Sequence, residues 1–125
     1  YNPSSDAYAV SSNILKTFAA QVSRDGSKPI VVVFPTKEDL LSYQQNGTTI
    51  YAPLLDFFRA NEIDFIDLVT LLAELKQQQP DLDLYKTHFT EAGNKVVAQH
   101  LMAAIRARIN QTQFETNRMQ RATDG

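Results

Sequence analysis

The chain of 125 residues contains no cysteine, no tryptophan, four glycines and two histidines. Without cysteine there is no disulfide, no thiolate zinc site and no cysteine nucleophile, and nothing about the redox compartment follows. Long apolar runs are also missing. The longest, Ile30 to Phe34, is strand-sized and far below the roughly 20 residues of a membrane span. Twelve basic side chains stand against 14 acidic ones, a formal net charge of −2, so no global basic field exists for a phosphate backbone, although the C-terminal tail is locally basic. Nucleic acid is therefore not an expected partner. No glycine-rich phosphate loop, Walker motif or dinucleotide fingerprint is present, and the spacing of His88 and His100 matches no usual zinc pattern. The sequence thus calls for no cofactor and no metal. It opens on Tyr1, not Met, so it is silent about an N-terminal signal, and the compartment stays open, an extracytoplasmic one included.

What remains is 43% apolar and 21% charged, the composition of one globular domain or a piece of one at about 150 residues per domain. Between Tyr8 and Val22 the residues Tyr8, Ile14, Leu15, Phe18, Ala19 and Val22 fall mostly at steps of three and four, predicting a helix with these on its buried face. Gly26 supplies its left-handed cap. Ile30 to Phe34 is unbroken and β-branched, which predicts a strand buried on both faces, as in a parallel sheet. After Pro35, Thr36-Lys37-Glu38-Asp39 resembles a capping box that starts a short helix through about Tyr43, and Gln44 to Thr49 reads as loop. Pro53 suits the first turn of a helix that buries Leu54, Leu55, Phe57 and Phe58. Ile63 to Asp67 is a second short strand, and Leu68, Leu71, Leu72 and Leu75 form another amphipathic helix that stops by Pro80. Residues 81–89 read as loop. Thr90 is an N-cap for a long helix carrying Val97, Leu101, Ala104, Ile105 and Ile109, and residues 111–125 read as a polar tail, frayed or serving as a partner-binding arm.

This alternation implies an α/β fold with parallel strands. Only two strands are visible, however, and a two-stranded parallel sheet with a valine-rich centre leaves backbone edges and apolar faces uncovered. Something else must complete it. The N-terminal half of the same protein is the favoured candidate, with a second copy of this chain as the alternative, since parallel α/β sheets usually carry more strands.

Acid–base chemistry near neutral pH points to a histidine. His100 lies at the flank of the last helix and reads as a boundary side chain with an ordinary hydrogen bond. His88 lies in a loop at the mouth of that helix, and loops held by a rigid scaffold are where α/β folds keep catalytic groups. Asp81 and Asp83 precede it, either as paired carboxylates or as a solvated turn beside Pro80, and Asp67 reads as a cap for the helix after the second strand.

The segment Thr87-His88-Phe89-Thr90-Glu91-Ala92-Gly93-Asn94-Lys95-Val96-Val97-Ala98-Gln99-His100-Leu101 resembles the last block of the SGNH/GDSL hydrolase superfamily, in which a catalytic histidine precedes a small or polar turn, a glycine and an amphipathic helix. Val31-Val32-Val33-Phe34-Pro35 is similar to the family's late core strand, and Ile63-Asp64-Phe65-Ile66-Asp67-Leu68 to the short strand before the histidine loop. The resemblance implies a three-layer α/β/α, flavodoxin-like domain with parallel strands, of which this chain is the C-terminal half. Residues 1–110 would be that half-domain, followed by the 111–125 tail. It also implies a serine nucleophile in a Gly-Asp-Ser block on the first strand. Asp25-Gly26-Ser27 has those residue types in another order and after a helix, and no oxyanion-hole block is recognisable. Where the family usually has an Asp two or three residues before the histidine, this chain has Lys86 and Tyr85. Asp83 is the substitute if the loop folds back, and a backbone carbonyl orienting the ring is the alternative.

The expectation is therefore the C-terminal part of an SGNH-type esterase, lipase or acyltransferase acting on an O-acyl ester such as an acetylated glycan or a lipid. His88 would be its general base and Asp83 the acid candidate, and this chain alone would be inactive. A non-catalytic binding or assembly module on the same scaffold is the alternative. A flavodoxin-like regulator or nucleotide binder lacks any supporting motif.

Overall fold

The computed structural model describes residues 2–123 and divides into two compact units, one through Asp81 and one from Leu82 onward. The first unit contains α1 (Asp6–Arg24), β1 (Val31–Val33), α2 (Lys37–Asn46), α3 (Ala52–Ala60), β2 (Phe65–Asp67) and α4 (Val69–Gln78). The second contains α5 (Glu91–Thr123) and the turn that leads into it.

In the first unit β1 and β2 pair in parallel, with Val31 opposite Phe65, Val32 opposite Ile66 and Val33 opposite Asp67. Two parallel strands are what the apolar runs predicted, each trimmed to three residues. The valines of β1 are half-buried, whereas the sequence predicted burial on both faces. With one neighbouring strand among the described residues, β1 has no second pairing partner to cover its far edge. The chain is α/β in type but 66% helical, so helices supply most of the packing.

The core gathers Ala19 of α1, Tyr51, Leu54, Leu55 and Phe58 of α3 and its entrance, and Ile63 before β2. Tyr8, Leu15, Val31, Val33, Phe57 and Phe65 pack against them. Phe58 has no exposed surface, and its ring lies 5.6 Å from that of Phe65. The α1 helix starts at Ser5, whose hydroxyl accepts from the Tyr8 amide at 3.2 Å, and the chain turns away at Gly26 with φ +80°.

The buried face of α1 differs from the expected one. Ile14 and Phe18 are 62% and 60% exposed, while Ser12 and Ala19 are buried. The apolar arc of this helix is wider than the stripe its neighbours cover. The Tyr8 hydroxyl donates to the Pro53 carbonyl at 2.8 Å, which turns the Tyr8, Ser12, Leu15 and Ala19 stripe inward. The Ser12 hydroxyl donates to the Tyr8 carbonyl at 2.7 Å, so its burial leaves no polar atom unpaired.

The helix α2 begins at the expected capping box. Thr36 Oγ1 accepts from the Asp39 amide at 3.2 Å, and Asp39 Oδ2 accepts from the Thr36 amide at 2.9 Å. It runs three residues past the predicted end and stops at Gly47, φ +71°. Of the predicted stripe, Leu68 and Leu72 are buried and Leu71 and Leu75 half-buried, while α4 also buries Val69, which lay outside it.

In the second unit α5 continues through residues 111–123, where composition predicted a frayed tail or an arm. Every residue from Gln111 to Ala122 is exposed. No helix among the described residues is long and apolar enough to cross a membrane.

Candidate active site

The His88 turn is a closed local structure. Tyr85 and Phe89 form an isolated antiparallel bridge, the Lys86 amide donates to the His88 carbonyl at 2.8 Å, and the two aromatic rings lie 4.4 Å apart. His88 sits at the exposed rim of this turn. The helix behind it is capped by Thr90, whose Oγ1 accepts from the Gly93 amide at 3.1 Å and donates to the Asp83 carbonyl. The Thr90 amide donates to the Leu84 carbonyl at 3.0 Å. One residue therefore ties the segment before the turn to the helix after it.

Gly93 explains how closely the two approach. A β-carbon there would stand 2.6 Å from the Leu84 carbonyl oxygen and 3.1 Å from Phe89 Cδ1. Only glycine lets the first turn of α5 lie on the backbone of the histidine turn. Leu84 is itself buried at 2% exposure. The turn is thus anchored on its inner side and presents His88 on its outer side.

The structure keeps Asp83 near this region without joining it to the imidazole. Among the described residues no hydrogen bond links the Asp83 carboxylate to the His88 ring, and Asp83 contributes its backbone carbonyl to Thr90. Its side chain lines an open groove of about 500 Å³ with Lys86, Thr90, Glu91 and Lys95. His100 is half-buried on α5, matching a boundary position. Among the described residues no group of three or more His, Asp or Glu side chains converges on a metal position.

A second polar cluster lies in the first unit, after the carboxyl ends of β1 and β2, and sequence reasoning missed most of it. Tyr51, 3% exposed, donates its hydroxyl to Asp67 Oδ1 at 2.8 Å, and the same oxygen accepts from the Val69 amide at 3.1 Å. The helix-capping role expected of Asp67 is present, with a buried phenol added. Thr49 and Asp39 are buried close by, each under a tenth exposed. Burial, and after it the hydrogen bond to Asp67, push the Tyr51 hydroxyl well above the usual tyrosine range, so it is neutral at physiological pH. Asp39 Oδ2 also accepts from Thr36 Oγ1 at 2.8 Å, whereas its Oδ1 is buried with no hydrogen-bond partner. The only available signal was positional: polar residues follow each strand.

Parallel strands joined by helices define an α/β protein. The family model for the SGNH hydrolase-like domain of the acetyltransferase AlgX matches residues 2–125, and the chain belongs to that family. No curated protein and no solved structure matches it significantly.

Proposed function

We propose that this chain is the C-terminal portion of an SGNH-type domain that moves O-acyl groups, with an acetylated glycan or a lipid as the ester. His88 acts as the general base. Its imidazole takes the proton from a serine Oγ as that oxygen attacks the acyl carbonyl, then returns it to the departing alkoxide as the acyl-enzyme forms. Water or an acceptor hydroxyl reverses the sequence, giving hydrolysis or transfer. The serine and the oxyanion donors come from residues outside this chain, so the chain alone is inactive. In the same reading the open edge of β1 is paired by a further strand, which extends the sheet into the three-layer, flavodoxin-like form.

The observation that carries this reading is the His88 turn. It is bridged at Tyr85 and Phe89 and pinned through Thr90 and Gly93 to the start of α5, in a chain of the SGNH-like acetyltransferase family. Such a mount holds an exposed imidazole at a fixed place. The orienting group is Asp83, with the loop folded back, or a backbone carbonyl.

A specific observation favours a second reading, a non-catalytic binding or assembly module. Lys86 and Tyr85 occupy the positions where the family usually carries the acid, and no carboxylate is hydrogen-bonded to the His88 ring among the described residues. The experiment is His88→Ala in the full-length protein, with ester hydrolysis and fluorophosphonate labelling as readouts. General-base catalysis predicts a loss of about 100-fold or more. A rate within about threefold of the parent rejects the role, because proton transfer at this step is worth far more. A full-length protein that never takes the label supports the binding module.

A further inference from the structure

The turn that carries His88 has a foot as well as a rim, and Thr90 makes the foot. Its amide donates to the Leu84 carbonyl at 3.0 Å, and its hydroxyl donates to the Asp83 carbonyl. Both acceptors stand on the limb that enters the turn, and Thr90 stands on the limb that leaves it, directly after the Tyr85–Phe89 bridge. At the tip the Lys86 amide donates to the His88 carbonyl at 2.8 Å. The tip bond closes the turn on itself, whereas the foot joins it to α5.

The Thr90 hydroxyl does two things at once. Its oxygen accepts from the Gly93 amide at 3.1 Å, which is the helix-capping bond. Its proton goes the other way, to the Asp83 carbonyl. Capping needs only a lone pair, and an ionised Asp supplies one equally well, with the helix dipole in its favour. The donated proton is therefore what capping leaves unexplained, and a hydroxyl is the side-chain group that can give and accept from one atom.

We propose that Thr90 is the positioning residue for the His88 base. By giving its proton to the Asp83 carbonyl it clasps the entering limb of the turn against the first turn of α5, and so fixes the place of the imidazole. The proposal rests on the acyl-transfer reading of His88. Gly93 makes the clasp possible, because a β-carbon there would stand 2.6 Å from the Leu84 carbonyl oxygen that Thr90 also holds. The exposed His88 takes its place from the backbone beneath it. A displacement of about 1 Å at a catalytic group costs on the order of 100-fold in rate, so a loosened foot would be felt at the chemistry.

The test uses three substitutions in the full-length protein. Thr90→Ser keeps both bonds, Thr90→Asp keeps the cap and loses the proton, and Thr90→Val loses both. The kcat and KM for ester hydrolysis are read on the alkaline plateau of the pH profile, where a shifted histidine pKa has no effect. Nitrogen-labelled histidine reports the order of the His88 amide through its heteronuclear NOE, the signal being assigned by its loss in His88→Ala. Thr90→Ser is expected to stay within about threefold of the parent. Thr90→Asp should keep its helix by circular dichroism yet lose about 10-fold or more in kcat at a near-constant KM, with a less ordered His88 amide, and Thr90→Val should lose at least as much.

A Thr90→Asp protein as active and as ordered at His88 as the parent overturns the proposal, since the hydroxyl is then a helix cap and no more. A loosened turn with an unchanged rate overturns the positioning role, and so does a Thr90→Ser protein as impaired as Thr90→Val. An active His88→Ala is a different failure. It removes the acyl-transfer reading on which the proposal rests, whatever the order of the His88 amide.

Discussion

The Tyr51 hydroxyl and Asp67 Oδ1 are 2.8 Å apart, and this bond joins the entrance of α3 to the end of β2 across 16 positions of sequence. The same carboxylate oxygen holds the Val69 amide at the start of α4. One acid thus fixes a strand end, a helix start and a buried phenol. Such networks add rigidity when every member is satisfied.

Tyr51→Phe keeps the ring in the core and removes only the hydroxyl. Because Asp67 retains the Val69 amide as a donor, the expected loss is about 1 kcal/mol, measured by urea denaturation, with an unchanged slope. Tyr51→Ala, which also opens a cavity among Leu54, Leu55 and Phe58, should cost about 3–5 kcal/mol.

Alkaline stability follows from the same residue. Its folded-state pKa is raised above the ordinary tyrosine value near 10, so the unfolded chain gives up the proton first. Stability from this group is complete below pH about 10 and falls as pH rises above it. Across pH 8 to 11 the Tyr51 contribution to the denaturation midpoint should hold to about pH 10 and decline above it, and Tyr51→Phe should remove that part of the decline.

Gly93→Ala separates helix propensity from packing. Propensity alone predicts a gain of about 1 kcal/mol for alanine in a helix. The close approach to the Leu84 carbonyl predicts the opposite sign, a loss of about 1–3 kcal/mol, because backbone must move to admit the methyl group. Thermal melts of the variant decide between them, and a rise in the midpoint would contradict the close approach.

Thr36→Ala removes the hydroxyl that both caps α2 and donates to the buried Asp39 carboxylate. Asp39 Oδ1 has no partner of its own, so the loss falls on an acid that is already under-satisfied. The expected cost is about 2 kcal/mol by chemical denaturation. Thr36→Ser should recover most of it.

Legibility in the sequence tracked the range of the forces involved. The capping box at Thr36, the turn at Gly26 and the strand runs of β1 and β2 depend on neighbours a few residues away, and each is where the local pattern placed it. The start of α5 at Thr90 was legible because the polar cap, the glycine and the amphipathic helix lie within one short segment. The Tyr51 cluster was not, since a tyrosine between apolar residues reads as core and nothing local says that Asp67 will meet its hydroxyl. Nor could spacing tell that α1 buries Ser12 while Ile14 and Phe18 face outward.

The sequence by itself therefore determined the order of elements, the parallel α/β character and the capped start of α5, because hydrogen-bond caps, β-branched runs and glycine turns act within a few residues of the chain. Only the tertiary structure decided which stripe of each helix is covered, which oxygen Tyr51 finds and why position 93 must be glycine. Those outcomes rest on distances between segments remote in sequence, and burial is a property of the neighbours as much as of the residue.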